Sequence, residues 1–183
     1  MGDRKNLKMK KEISRIATLG NVNDENVNDV IYTILEINHL DTHKKSDQRE
    51  PIKLIINSVG GDVYHGFGLI DCIVNSITPI HTICYGCAFS MALPIFAAGH
   101  HRQAGKLSTF MYHEISWNME YEKIMTHDRE LVEGKRIMQI YDDFLYTHTK
   151  LDVKKLKSVK KLNKDWYFNV EEALNYGIVD KII

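Results

Sequence analysis

The order of apolar and polar positions divides the chain into short strands and amphipathic helices. Residues 13–19 read as a short strand closed by Gly20, and residues 21–26 supply turn and helix-capping chemistry. Over 27–40, Val27, Val30, Ile31, Ile34, Leu35 and Ile37 recur at helical spacing, which predicts a helix lying on a core. The charged stretch 41–50 predicts an exposed loop ended by Pro51. Residues 52–56 form an apolar run between Pro51 and the Gly60–Gly61 pair, the pattern of a buried strand. A helix is then predicted over 63–77, a strand over 79–85, a short buried helix over 90–98 and a strand over 106–111 leading to His113. Residues 119–149 give the longest helical pattern, with Gly134 among its few breakers. A strand over 166–168, a helix over 170–176 stopped by Gly177, and a closing strand over 178–183 complete the chain. Strands alternating with helices predict an α/β fold with a mainly parallel sheet.

Composition narrows the class. The chain has 183 residues, enough for one domain, with 44% hydrophobic and 26% charged residues, near the globular average. Residues 1–12 read as a flexible, lysine-rich segment without the apolar stretch of a secretory signal, and 13–183 as the single domain. Lysine plus arginine total 24 and so do aspartate plus glutamate, so the formal net charge is zero. That argues against a nucleic-acid partner, and the absence of a long apolar run argues against a membrane-spanning one. Cys72, Cys84 and Cys87 lie in apolar stretches rather than a spaced framework, which fits a reducing, cytoplasmic location.

Four places could carry chemistry. Gly60 and Gly61 sit between a strand and a helix, where backbone amides can face an anion or simply form a tight turn. Ser90 sits where a strand gives way to a helix, as a nucleophile on a turn or as an ordinary N-cap. His113 ends a strand; Glu114, Ile115, Ser116 and Trp117 after it do not make the H-E-x-x-H zinc spacing. Asp165 is flanked by aromatics, which predicts a partly desolvated carboxylate or, in the plainer reading, a surface acid. Cys84 and Cys87 have C-x-x-C spacing without a second pair, and His100–His101 are poor co-ligands, so no metal site is expected. A serine, a histidine and an aspartate on separate loops are the parts of a nucleophilic triad, although spacing alone does not assemble them.

Together these motifs resemble the ClpP family, the proteolytic subunit of the ATP-dependent Clp protease. INSVGGDVYHGFGLID, ending at Asp71, resembles the family's I-N-S-P-G-G block and its following helix. TICYGCAFSMA, residues 82–92, resembles the block bearing the nucleophile, and FMYHE resembles the M-x-H-Q histidine. KDWYFNVEEALNYGIVDKI, residues 164–182, resembles the block with the catalytic acid and the family's ending. The resemblance implies a crotonase-like ClpP fold with a projecting handle helix over 119–149. It implies Ser90 as nucleophile, His113 as general base and Asp165 as the residue orienting it, with the amides of Gly61 and Met91 as oxyanion hole. It further implies stacked heptameric rings, unfolded polypeptide as substrate, and a AAA+ unfoldase partner that alone uses ATP, so the peptidase itself needs no cofactor.

The chain departs from the family pattern in several places. Val59 replaces the proline before the double glycine, and Ala92 the glycine after Ser-Met. Glu114–Ile115 replace Gln-Pro, and Asn163–Lys164 replace an acid–arginine pair. Lys53 and Ile55 stand where the family places aromatics that receive unfoldase loops. Three alternatives stand beside an active peptidase fed by an unfoldase. One is a non-catalytic structural subunit, one a phage-type protease with a dedicated substrate, and one an acyl-CoA enzyme of the wider crotonase fold.

Overall fold

Ile52, Leu54 and Ile56 alternate along one strand with Lys53, Ile55 and Asn57; the first three are fully buried, so this strand has a core face and an outer face. It is β2 (Ile52–Ser58), near the middle of a sheet in a computed structural model that describes residues 13–115 and 124–183. The other strands are β1 (Ile16–Leu19), β3 (Ile80–Phe89), β4 (His101–Ala104), β5 (Thr109–Tyr112), β6 (Trp166–Asn169) and β7 (Lys181–Ile182). The helices are α1 (Asp24–Asp41), α2 (Val63–Val74), α3 (Ala92–Ala97), α4 (Ile124–His148), α5 (Val153–Lys161) and α6 (Val170–Asn175). Strands β1, β2, β3, β4 and β7 lie side by side in that order, all parallel. Val27, Val30, Ile34 and Ile37 of α1, Leu69 and Ile73 of α2, and Leu93 and Ile95 of α3 join the core with them.

One departure from this regular order positions everything that follows. The first half of β3 pairs with β4, through Cys84, but from Cys87 to Phe89 it pairs with β5 instead. Its register with β2 also shifts between Ile56 and Ser58. Strand β6 then adds to β5 antiparallel, with Tyr112 opposite Trp166. The C-terminal ends of β3 and β5 and the N-terminal end of β6 therefore converge.

Several expectations change. Strand β3 runs on to Phe89, past the expected end at 85, and α3 is correspondingly shorter. Asp41 belongs to α1 and is buried, not part of an exposed loop; Arg15 donates to both of its carboxylate oxygens, at 2.9 and 2.7 Å. Strand β4 and helix α5 have no counterpart in the sequence reading. The long helix is described from Ile124, so the start expected at 119, like segment 1–12, lies outside the described residues. Ile137, Met138, Tyr141 and Leu145 bury its C-terminal half, whereas Leu131 and Val132 nearer its start are exposed. No helix among the described residues is long and apolar enough to cross a membrane.

Candidate active site

Strand β3 delivers Ser90 to the end of β5, where the Ser90 amide donates to the Met111 carbonyl at 3.0 Å. Ser90 has φ +50°, a left-handed conformation that is costly for a side-chain-bearing residue and recurs at functional turns. Its hydroxyl does not cap α3: Met91 occupies the N-cap position, without a side-chain bond. Instead Ser90 Oγ lies 2.7 Å from His113 Nε2. His113 follows β5 directly, so the same strand pairing that seats Ser90 also seats the imidazole.

Asp165 precedes β6 and approaches from the other side. Its Oδ1 is 3.9 Å from His113 Nδ1, beyond hydrogen-bond length but within ion-pair range. The Asp165 side chain is 53% exposed, so its aromatic neighbours do not desolvate it as the sequence suggested. Ser90, His113 and Asp165 are thus brought together, the first pair tightly and the third member loosely. A cavity of about 320 Å³ opens beside them, lined among others by His113, Glu114, Lys160, Lys164 and Asp165.

The double glycine lies against Ser90. At Gly60, φ is +100°, and a Cβ there would stand 2.8 Å from Ser90 Cβ and 3.0 Å from the Met91 nitrogen. At Gly61, φ is +148°, and a Cβ would stand 2.2 Å from the Val22 carbonyl oxygen. Only residues without a Cβ fit both places. The Val22 amide donates to the Gly60 carbonyl and the Asp62 amide to the Val22 carbonyl, which pins the turn on both sides. The amides of Gly61 and Met91 have no acceptor among the described residues, and the turn that holds the first touches the second.

Sequence reasoning missed a buried polar frame behind this pair. Tyr141 of α4 donates its hydroxyl to the Ser90 carbonyl at 2.9 Å. Tyr112, one residue before His113, donates to the neighbouring Asp142 at 2.7 Å, and Lys160 of α5 donates to the other Asp142 oxygen. Burial and the Asp142 carboxylate push the Tyr112 phenol above the usual tyrosine range, so it stays a donor. The one signal for Asp142 was its position beside the apolar stripe Ile137–Met138–Tyr141–Leu145. The C-x-x-C pair offers no reactive thiolate: burial pushes the Cys84 thiol up to about 12.

A half-buried serine–histidine pair on this topology is the arrangement expected of a ClpP-like chain, and the Clp protease family matches residues 4–183. The chain belongs to the Clp protease family. The ATP-dependent Clp protease proteolytic subunit of Deinococcus radiodurans is 33% identical over 139 residues, 73% of this chain; the match spans 65% of that protein. The corresponding subunit of Cyanophora paradoxa is 31% identical over 164 residues, 88% of this chain and 79% of that protein. Proteolytic subunit 2 of Prochlorococcus marinus strain MIT 9312 is 32% identical over 175 residues, 93% of this chain and 82% of that protein. In structure, a point mutant of ClpP1 from Listeria monocytogenes superposes with a TM-score of 0.78, covering 92% of this chain and 91% of its own. At 23% identity that likeness establishes the ClpP fold and nothing finer.

Proposed function

We propose that the chain is a serine endopeptidase of the Clp type. The observation that carries this reading is the 2.7 Å approach of His113 Nε2 to Ser90 Oγ, on a residue held at positive φ. With the proton of its neutral ring on Nδ1, facing Asp165, His113 accepts the Ser90 proton on Nε2 as the oxygen attacks the peptide carbonyl. The Gly61 and Met91 amides receive the oxyanion as it forms. Collapse of the adduct breaks the C–N bond; His113 returns the proton to the leaving amine and leaves an ester on Ser90. Water, deprotonated by the same imidazole, hydrolyses the ester and restores the serine. No step requires a metal or a nucleotide.

The family relation supports a ring-shaped, self-assembled chamber of stacked heptamers in the cytoplasm, acting on unfolded polypeptide. The relatives named ATP-dependent are proteolytic subunits, which supports a AAA+ unfoldase as the partner that uses ATP. A fluorophosphonate probe tests the central claim. It should label the wild-type chain at Ser90 and leave Ser90→Ala unlabelled. An assembled, folded wild type that resists labelling and cleaves no peptide would instead make this a structural subunit.

A further inference from the structure

Charge is not spread evenly over this neutral chain. Between Lys150 and Lys164 there are seven lysines and one acid, Asp152. Helix α5 turns Leu156 and Val159 inward and buries both. Lys154, Lys157 and Lys161 recur at intervals of three and four on the opposite, exposed face, and exposed Lys164 follows the helix. Lys44 and Lys160 are the lysines that form salt bridges among the described residues, so this stripe has no carboxylate partner there.

Helix stability does not account for the stripe. Lys161 lies in the last turn, where the helix dipole favours a cation, and Lys155 stacks over the Trp166 ring at 4.3 Å. Lys154 lies in the first turn, where a cation is disfavoured, Lys157 lies at mid-helix, and like charges three and four apart repel. What the stripe does have is a destination. Lys160 and Lys164 line the same cavity as His113 and Asp165. Because Lys160 is held by Asp142, Lys164 is the cation presented there.

We propose that this face of α5 is a docking surface for acidic stretches of the polypeptide substrate, guiding them into the cavity beside His113. The inference rests on the peptidase reading and adds a substrate class to it. Exposed acids of α1, Asp24, Glu25, Asp29 and Glu36, make a second copy of the chain the rival occupant. Lys164, which continues the stripe past the helix, lines the cavity, so an extended acidic chain can lie along the stripe and reach it.

The test uses assembled Ser90→Ala protein and three fluorescein-labelled unstructured peptides of equal length, one acidic, one neutral and one basic. Anisotropy at 50 mM salt should show the acidic peptide binding about tenfold tighter than the neutral one, the low end of what electrostatic guidance gives. The advantage should disappear by 300 mM salt. The triple variant Lys154→Gln, Lys157→Gln and Lys161→Gln should lose it already at 50 mM salt, while the otherwise wild-type triple variant keeps its turnover of a neutral peptide. Equal binding of all three peptides overturns the proposal, as does an undiminished preference in the triple variant. Tighter capture of an RNA oligomer would reassign the stripe to nucleic acid, and a change of oligomer mass in the triple variant would reassign it to a contact between copies. Should the wild type cleave no peptide, the peptidase reading fails while the anisotropy still decides the docking surface.

Discussion

Replacing Asp165 with asparagine isolates the loosest contact of the site. The carboxylate stands 3.9 Å from His113 Nδ1 and is about half exposed. On the proposed mechanism, its work is to stabilise the imidazolium that forms when His113 takes the Ser90 proton. At that separation two unit charges attract by about 1 kcal/mol in bulk water and about 4 kcal/mol at the effective dielectric of a protein surface. Half exposure puts the pair toward the weaker limit, about 1–3 kcal/mol, or roughly 5- to 150-fold in kcat/KM. A buried triad aspartate in hydrogen-bond contact costs far more on the same change, roughly 10⁴-fold, because the ring loses its required tautomer. Steady-state hydrolysis of a fluorogenic peptide by wild type, Asp165→Asn and Ser90→Ala decides between the two. The asparagine variant should fall between the others, about 5- to 150-fold below wild type, and its deficit should narrow as salt rises from 0.05 to 0.5 M. A loss near 10⁴ in a folded oligomer would show that the carboxylate closes onto Nδ1 in the working enzyme. A loss under twofold would show that it contributes no field at all.

Two further perturbations probe the frame. Gly60→Ala sets a methyl 2.8 Å from Ser90 Cβ and 2.9 Å from the Phe89 carbonyl oxygen, at φ +100°. The left-handed backbone costs about 1–2 kcal/mol, and relief of the contact must move the nucleophile. Thermal unfolding should shift down by a few degrees, while kcat falls at least about 100-fold. The second concerns acid stability. The Arg15 guanidinium, with Lys44 and Thr78, holds the buried Asp41 carboxyl well below the usual carboxylate range, against the opposing effect of burial. A lowered folded value means that its stabilisation is whole above the unfolded carboxyl's pKa of about 3.9 and erodes below it. The slope there is up to about 1.4 kcal/mol per pH unit. Urea midpoints should therefore drop between pH 5 and pH 2 more steeply for wild type than for Asp41→Asn; parallel curves would refute the assignment.

Much of the fold was legible because most elements bury a periodic apolar face. Strand β2 and helices α1 and α2 lie close to where their apolar residues placed them. The elements that escaped have weak stripes. In β4 only Ala104 is buried, and the strand is held by polar contacts such as the Arg102 amide and guanidinium donating to Asp180. In α5 two apolar anchors, Leu156 and Val159, lie among five lysines, a ratio that reads as loop. Asp41 escaped for the opposite reason: a charged residue at the end of a helix reads as exposed until Arg15, 26 positions earlier, is seen to reach it. Of the candidate site, Ser90, His113, Gly61 and Asp165 were named from motif resemblance. Their meeting depends on β3 exchanging β4 for β5 in mid-strand, which no local pattern states.

The site's two halves differ in what fixes them. Ser90 and His113 are tied through backbone: Phe89 opposite Met111, the Ser90 amide on the Met111 carbonyl, and Gly60 against the serine itself. Tyr141 and Asp142, adjacent on α4, then grip each side of the pair, one through the Ser90 carbonyl and one through Tyr112. Asp165 hangs from an exposed turn after α5, where Asn163 adopts φ +48° and Lys164 faces the cavity. It directly precedes β6, whose Trp166 lies opposite Tyr112 of β5, and on its other side α5 is joined to the frame through Lys160 on Asp142. The backbones of Ser90 and His113 are therefore held by strand pairing and buried tyrosines, whereas Asp165 sits on an exposed turn between α5 and β6. On the proposed readings, the surface that docks an acidic chain and the carboxylate that faces His113 are joined by one short turn, residues 162–165.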